Sequence, residues 1–232
     1  MPDEPQSAPH HDHNGAHPHG MFPGDEDRYG RAFFDANAAT WDAPDKIERA
    51  GAVAERIAAT IPLHSTTRFL EYGAGTGLVT QALRQHVGPV TLAEPSAGMR
   101  AVIESKIDAA GLTDARLWDL DLEEDEPPDE RFDVIVTAMV LHHVHALDRV
   151  LAGFLALLEP GGHLCVVDLD FEGGTFHGEG FTGHPGFHRD RFGDRLRAAG
   201  FTNVEISDCY QMLRNGIPYT LFLAVAQSPA IR

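Results

Sequence analysis

Two hydrophobic periods alternate along this chain. Between Phe33 and Pro62 (FFDANAATWDAPDKIERAGAVAERIAATIP), Ile47, Ala50, Ala54, Ile57 and Ala58 keep roughly helical spacing, and Pro62 follows the stop. Beyond it, short apolar runs alternate with amphipathic stretches. The runs predict strands over Arg68–Tyr72, Val90–Glu94, Ala115–Asp119, Phe132–Ala138 and His163–Leu169. The stretches between and after them predict helices over Leu78–His86, Ala97–Ala110, Ala146–Leu158 and His188–Ala199. Pro160-Gly161-Gly162 separates a helix from the next strand, and Gly200 is placed to cap the last helix. Two further runs, Asn203–Ser207 and Tyr219–Ala226, have no helix between them and can pair antiparallel. The pattern therefore predicts an α/β fold. It is a doubly wound, Rossmann-like sheet of seven strands, mostly parallel, that finishes in a C-terminal antiparallel hairpin.

Residues 1–30 break the pattern. They are rich in Pro, His, Gly and Asp without an apolar period, which predicts a disordered tail and leaves residues 31–232 as one domain. Five histidines fall within ten residues of that tail, at 10, 11, 13, 17 and 19. Such a tract can hold a transition metal, although a polar tail of weak, non-specific affinity is the simpler account.

Charge narrows the choice of partners. Acids outnumber bases 35 to 18, giving a formal charge of −17, and nine of the acids lie between Asp119 and Asp133. Such a chain repels phosphate backbones, so nucleic acid is not expected as a partner. Arg189, Arg191, Arg195 and Arg197 read as the solvated face of one helix. No window approaches the ~18 apolar residues of a membrane span. The N-terminus carries no basic segment followed by an apolar one. Cys165 and Cys209 sit inside expected strands and suit buried positions in a reducing compartment, so the expected location is the cytoplasm.

The stretch LEYGAGTGLVT, Leu70 to Thr80, couples an apolar strand to a helix through Gly73, Gly75 and Gly77. Glycines there let the backbone turn sharply and approach a ligand at a helix N-terminus. The dinucleotide pattern G-x-G-x-x-G would need glycine at position 78, which is Leu78. In open α/β sheets ligands lie beyond the carboxyl ends of the strands. Glu94, after the second strand and 21 residues beyond Gly73, is placed to accept hydrogen bonds from ribose hydroxyls. After the third strand, the Asp119 carboxylate can accept an adenine amino proton, with Leu120 or Trp118 against the ring. Asp121 is the alternative one register step on. His142, His143 and His145 follow the fourth strand. Asp168, Asp170, His177, His184 and His188 end or follow the fifth.

These residues give the chain a specific likeness. EYGAGTG, with the acid Glu71 two residues before the first glycine, resembles the first motif of class I S-adenosylmethionine-dependent methyltransferases. VTLAEPSAGM, RFDVIVTAMVLHHV, LLEPGGHLCVVDLD and the closing strand pair extend the resemblance over residues 33 to 226. The layout is similar to small-molecule enzymes of the ubiquinone/menaquinone C-methyltransferase type. DLDFEGGTFH followed by a GF and a helix is also similar to a bacterial and fungal subgroup of unassigned substrate. Asp is also common where Glu94 stands. The resemblance implies S-adenosylmethionine as cofactor, held by Glu71, Gly73, Gly75, Gly77, Glu94, Asp119 and Leu120. It implies in-line methyl transfer to a small-molecule acceptor. It also implies that residues 31–62 form N-terminal lid helices, with Phe33, Phe34 and Trp41 near the acceptor. No N-P-P-Y/F motif follows the fourth strand, which counts against methylation of a base or glutamine amino group.

An acceptor protonated at neutral pH would need a general base, and His143 and His177 are the candidates. A metal held by His177, His184, His188 and Asp170 lacks the tight spacing of C-x-x-C or H-E-x-x-H, so no metal is expected. A nicotinamide-dependent oxidoreductase would show the missing glycine and usually a Tyr-x-x-x-Lys pair. A cofactor-binding regulator or scaffold without turnover would share the glycine loop and Glu94. No motif assigns an oligomeric state.

Overall fold

A computed structural model describes residues 30–230. The tail expected over residues 1–30 thus lies outside the described residues, apart from Gly30, which precedes the first helix.

The central strand, β1 (Phe69–Tyr72), is buried along its whole length. It pairs in parallel with β2 (Val90–Ala93) on one side and with β4 (Phe132–Ala138) on the other. Outside these lie β3 (Ala115–Trp118), parallel to β2, and β5 (Leu158–Leu169), parallel to β4. Strand β7 (Ile217–Gln227) inserts antiparallel between β5 and β6 (Thr202–Arg214). The order is β3-β2-β1-β4-β5-β7-β6.

Burial on both faces explains why the central strands read as continuous apolar runs. Alternate residues feed two cores. Leu70, Tyr72, Ile135, Leu164 and Val166 meet the apolar sides of α5 (Leu147–Leu157) and α6 (Arg189–Ala198). Phe69, Val134, Val136, Cys165 and Val167 meet α2 (Pro44–Thr60), α3 (Leu78–Leu83) and α4 (Ala97–Ala110). Phe154, fully buried against Tyr72 at 5.0 Å between ring centroids, is a keystone of the first core. Truncating a phenylalanine so placed costs ~3–5 kcal/mol.

Several boundaries differ from the pattern's expectation. Strand β5 begins at Leu158, which pairs with Phe132 before the ladder shifts register. Pro160-Gly161-Gly162 therefore sits inside an irregular strand, as fits a residue without a backbone donor followed by one at φ +80°. Helix α3 stops at Leu83, short of His86. The last two strands run further than their apolar cores, because Asn215 and Gly216 both take positive φ, 53° and 78°. A tight turn of that hand matches strand twist and lets pairing continue to Arg214 and Ile217.

The N-terminal elements lie across the carboxyl ends of the strands. α1 (Arg31–Asn37) and a 3-10 turn (Ala38–Thr40) are pinned by two acids. Asp35 accepts from the Ser96 hydroxyl at 2.6 Å and the Gly98 N–H at 2.8 Å, at the start of α4. Asp42 accepts from the Thr76 hydroxyl and pairs with Lys106 at 2.7 Å. Among the described residues no helix is long and apolar enough to cross a membrane.

Candidate functional site

A cleft opens between these N-terminal elements and the ends of β1, β2 and β4. Its floor is the glycine loop, which bends back until the Gly73 and Ala74 N–H groups donate to Ala93 O at 2.8 and 3.1 Å. Gly75 takes φ +56°, and a Cβ built there would meet only Trp41 Nε1, at 3.6 Å, so its backbone faces the open cleft. Gly73 also lines the cleft, but a Cβ there would strike Val140 at 2.5 Å. Gly77 begins α3 and packs against Leu92, outside the cleft lining.

Glu94 stands at the end of β2. Its Oε2 accepts from Gly75 N–H at 2.7 Å and its Oε1 from Ser96 N–H at 2.8 Å. Burial pushes its pKa up, and those two donors oppose the push. Each oxygen keeps a further lone pair, so the carboxylate can still accept from a pair of hydroxyls in the cleft. Glu71 is buried one strand away. Its Oε2 accepts from the Thr80 N–H at 2.9 Å and hydroxyl at 2.5 Å, and burial lifts its pKa to about 7 despite them.

The third strand ends earlier than its apolar pattern suggests, and this redistributes the acids. β3 stops at Trp118, and Asp119 turns outward to pair with Arg100 at 2.7 Å, away from the cleft. Leu120 is buried in the core rather than in the cleft wall. Asp121 and Glu123 line the cleft in their place, with Asp121 held by Arg31 of α1 at 3.1 Å.

The opposite wall comes from α1, the 3-10 turn and α2. Phe34 and Trp41 line it edge to face, centroids 5.6 Å apart, and Phe33 packs behind Phe34. Lys46 and Arg49 also line it, which the sequence reading missed. Burial lowers the pKa of both, and the Lys46 ammonium lies 3.4 Å over the Trp41 ring. Neither forms a salt bridge among the described residues. The signal is the phase of α2: Ala50, Val53, Ala54 and Ile57 are its buried residues, whereas Ile47, which helical spacing predicts on the apolar face, is 51% exposed. In that phase positions 46 and 49 precede the buried stripe.

Beyond β4 the chain passes Met139, at φ +60°, into a 3-10 turn Leu141–His143. A positive φ at a non-glycine residue is sparsely populated and clusters at functional sites. His142 is buried, and its Nδ1 lies 2.6 Å from Asp168 Oδ1. His143 lines the cleft with its ring edge-on to Phe34 at 5.5 Å. Burial, then the neighbouring His142, drives its pKa down to about 2. His177, from the loop after β5, stacks on Phe181 at 4.0 Å, and burial lowers its pKa to about 4. The fold thus brings His143 and His177 to 5.1 Å between centroids, with His143 alone of the two on the cleft. His184, His188 and Asp170 do not join His177. Asp170 forms a bidentate pair with Arg189, and His188 stacks on Phe171 at 4.2 Å.

Comparison with known proteins gives this geometry a context. A family profile described as "Methyltransferase domain" matches residues 44–206. An uncharacterized methyltransferase of Schizosaccharomyces pombe is 31% identical over 153 residues, covering 59% of this chain and 54% of that protein. The ubiquinone/menaquinone biosynthesis C-methyltransferase of Stutzerimonas stutzeri is 34% identical over 105 residues, covering 44% of this chain and 41% of that protein. The chain therefore spans about half or less of the length of these curated relatives. Among solved structures, the 1,6-didemethyltoxoflavin-N1-methyltransferase of Burkholderia thailandensis superposes with a TM-score of 0.67. Its identity is 20%, with 86% of this chain and 87% of that one covered, and the likeness is one of fold.

Proposed function

The chain belongs to the methyltransferase-domain family, and from that premise we propose that it moves the methyl group of S-adenosylmethionine in line onto a small-molecule acceptor. The observation that carries the proposal is the Glu94–Gly75 contact. A buried carboxylate and an open glycine backbone meet at the mouth of the cleft, 2.7 Å apart. That pair fits a nucleoside: Glu94 takes the ribose hydroxyls, and Gly75 lets the cofactor lie against bare backbone. On this reading Asp121, which lines the cleft, accepts from the adenine amino group. Lys46 and Arg49 fit the cofactor's carboxylate, and Glu71 lies on the cleft floor within the same charged neighbourhood.

When bound, the cofactor supplies a methyl group already activated by its sulfonium. The protein's part is then to position and to exclude water. Phe34, Trp41, Val140 and Val144 give the cleft apolar walls, and the Asp35 and Asp42 contacts hold the roof in place. Holding a nucleophile at near-attack distance can supply ~7–11 kcal/mol of the barrier. His143 offers a neutral imidazole on the same cleft to hydrogen-bond and orient the acceptor, with His177 behind it. A small acceptor is favoured by the roof, which comes from the chain itself, and by the −17 charge, which repels nucleic acid.

Calorimetric titration with S-adenosylmethionine, S-adenosylhomocysteine and NAD in parallel tests the proposal. The first two are expected to bind and NAD not to. A labelled-methyl assay over hydroxyl, thiol, amine and carbon-acid acceptors then follows. Silence towards both sulfur nucleosides would overturn it.

A further inference from the structure

Three imidazoles gather beside the cleft. His142 and His143 are neighbours in the 3-10 turn after β4, and His177 reaches them from the loop after β5, 34 positions on from His143 in sequence. Ring centroids lie 4.2 Å apart for His142 and His143, and 5.1 Å for His177 with each of them. One ring nitrogen from each falls within 4.8 Å of the others. We propose that His142, His143 and His177 form a binding site for a divalent first-row transition-metal ion at the acceptor end of the cleft. The proposal rests on the methyl-transfer reading only for the use of the site, not for its existence.

The donor set is chemically coherent. Imidazole suits zinc, copper, iron and nickel, and three protein nitrogens with a further open position is the form of a catalytic rather than a structural zinc site. Metal–nitrogen bonds of 2.0–2.1 Å in tetrahedral geometry place nitrogens ~3.3 Å apart. The present nitrogens, within 4.8 Å of one another, would have to draw closer on binding.

The surroundings add an independent argument. Metal-bound histidines commonly donate their other ring N–H to a carboxylate, which fixes the tautomer and raises ligand basicity. His142 has that partner. Asp168 Oδ1 lies 2.6 Å from its Nδ1, which leaves the other ring nitrogen, Nε2, as the ligand atom. Asp168 is held in turn by the backbone N–H groups of Leu169, at 2.7 Å, and His142, at 3.2 Å. A buried carboxylate fixed this firmly is an orienting group.

His143 belongs to both the cluster and the cleft wall, so an ion held here lies one side chain from the acceptor. It would bind an acceptor through a hydroxyl or thiol oxygen or sulfur. The metal–ligand bond would form as that group's proton leaves to water, lowering the effective pKa as zinc does for its own water. The acceptor class that follows is an alcohol, phenol or thiol.

The test must silence the histidines at 10, 11, 13, 17 and 19, which could bind metal by themselves. In the full chain with those five replaced by asparagine, competition titration with Zn²⁺ and Co²⁺ against a chromophoric chelator should give one tight equivalent. His177→Gln in that background should weaken it at least ~100-fold, and Asp168→Asn by ~10–100-fold. S-adenosylhomocysteine affinity should be retained in His177→Gln. X-ray absorption on the loaded five-asparagine protein provides a readout that needs no core variant. Three nitrogens at ~2.0–2.1 Å support the site, and an oxygen-only shell overturns it. Loss of all binding with the five N-terminal substitutions, or affinity indifferent to His177→Gln, would also overturn it. Metal bound at the triad without binding of the sulfur nucleoside would remove the proposed function and leave the site standing. The nucleoside bound with no metal at the triad would do the reverse.

Discussion

The Glu94 carboxylate and the Gly75 N–H are joined at 2.7 Å across the cleft mouth, and each makes the other useful. The contact holds a left-handed glycine in place and fixes a buried carboxylate that would otherwise be costly to ionise. Gly75→Val would put a branched side chain into the cleft at φ +56°. The expected outcome is loss of S-adenosylhomocysteine binding in calorimetry, with unfolding free energy reduced by ~1–3 kcal/mol from backbone strain alone. Unchanged affinity would mean that the cofactor does not use this loop.

Glu94→Gln keeps the shape of the side chain but turns one acceptor into a donor. That amide N–H₂ must face the Gly75 or the Ser96 N–H. The unmet donor should cost ~1–3 kcal/mol of stability in denaturant titration. Cofactor affinity should fall at least tenfold, because one ribose hydroxyl also loses its acceptor. A variant as stable and as tight-binding as the parent would show that the carboxylate does neither task.

Arg49 is a half-buried cation with no salt-bridge partner among the described residues, and it lines the cleft proposed to hold the cofactor. Arg49→Met should leave the ligand-free melting temperature unchanged or raised, since an uncompensated charge leaves a desolvated site. The same variant should bind S-adenosylhomocysteine ~10–100-fold more weakly, the range for losing a charge-assisted hydrogen bond of ~1.5–3 kcal/mol. A fall in stability with affinity unchanged would assign Arg49 to packing instead.

Glu71 titrates near 7 in the folded protein against 4.5 for an exposed glutamate. The folded state therefore holds the proton more tightly between those values, and stability falls as pH rises from about 4.5 to 7. The loss attributable to this residue is on the order of 3 kcal/mol. Glu71→Gln cannot titrate and its Oε1 can still accept from Thr80 N–H. Denaturant unfolding at pH 5 and pH 8 should show a smaller decline for the variant than for the parent. Equal slopes would place the charge of Glu71 outside the stability balance.

Much of the fold was legible because strands buried on both faces advertise themselves as apolar runs, and Phe69–Tyr72, Val90–Ala93 and Phe132–Ala138 all do. Boundaries were less legible. The Asn215-Gly216 turn was a readable hairpin signal, and β6 and β7 extend to it through a mixed run in which Asp208, Gln211 and Arg214 interrupt the apolar residues and Leu213 and Ile217 are exposed. The end of β3 mattered most for the site. Asp119, two positions before Asp121, points to solvent and Arg100, and Asp121 lines the cleft.

The sequence by itself determined the layered α/β architecture, the glycine loop and the acid at the end of β2, because those depend on local spacing and strand burial. The sheet order, the packing of α1 over the strand ends and of α2 against one face of the sheet, and the meeting of His142, His143 and His177 came from tertiary structure. None of these is a short-range property. His177 joins two residues more than thirty positions away only because β4 and β5 are neighbours whose carboxyl ends open on the same edge. Lys46 and Arg49 face the cleft only because the buried stripe of α2 sets the helix phase against the sheet. Spacing along a chain specifies which face a residue takes, and packing alone specifies what that face meets.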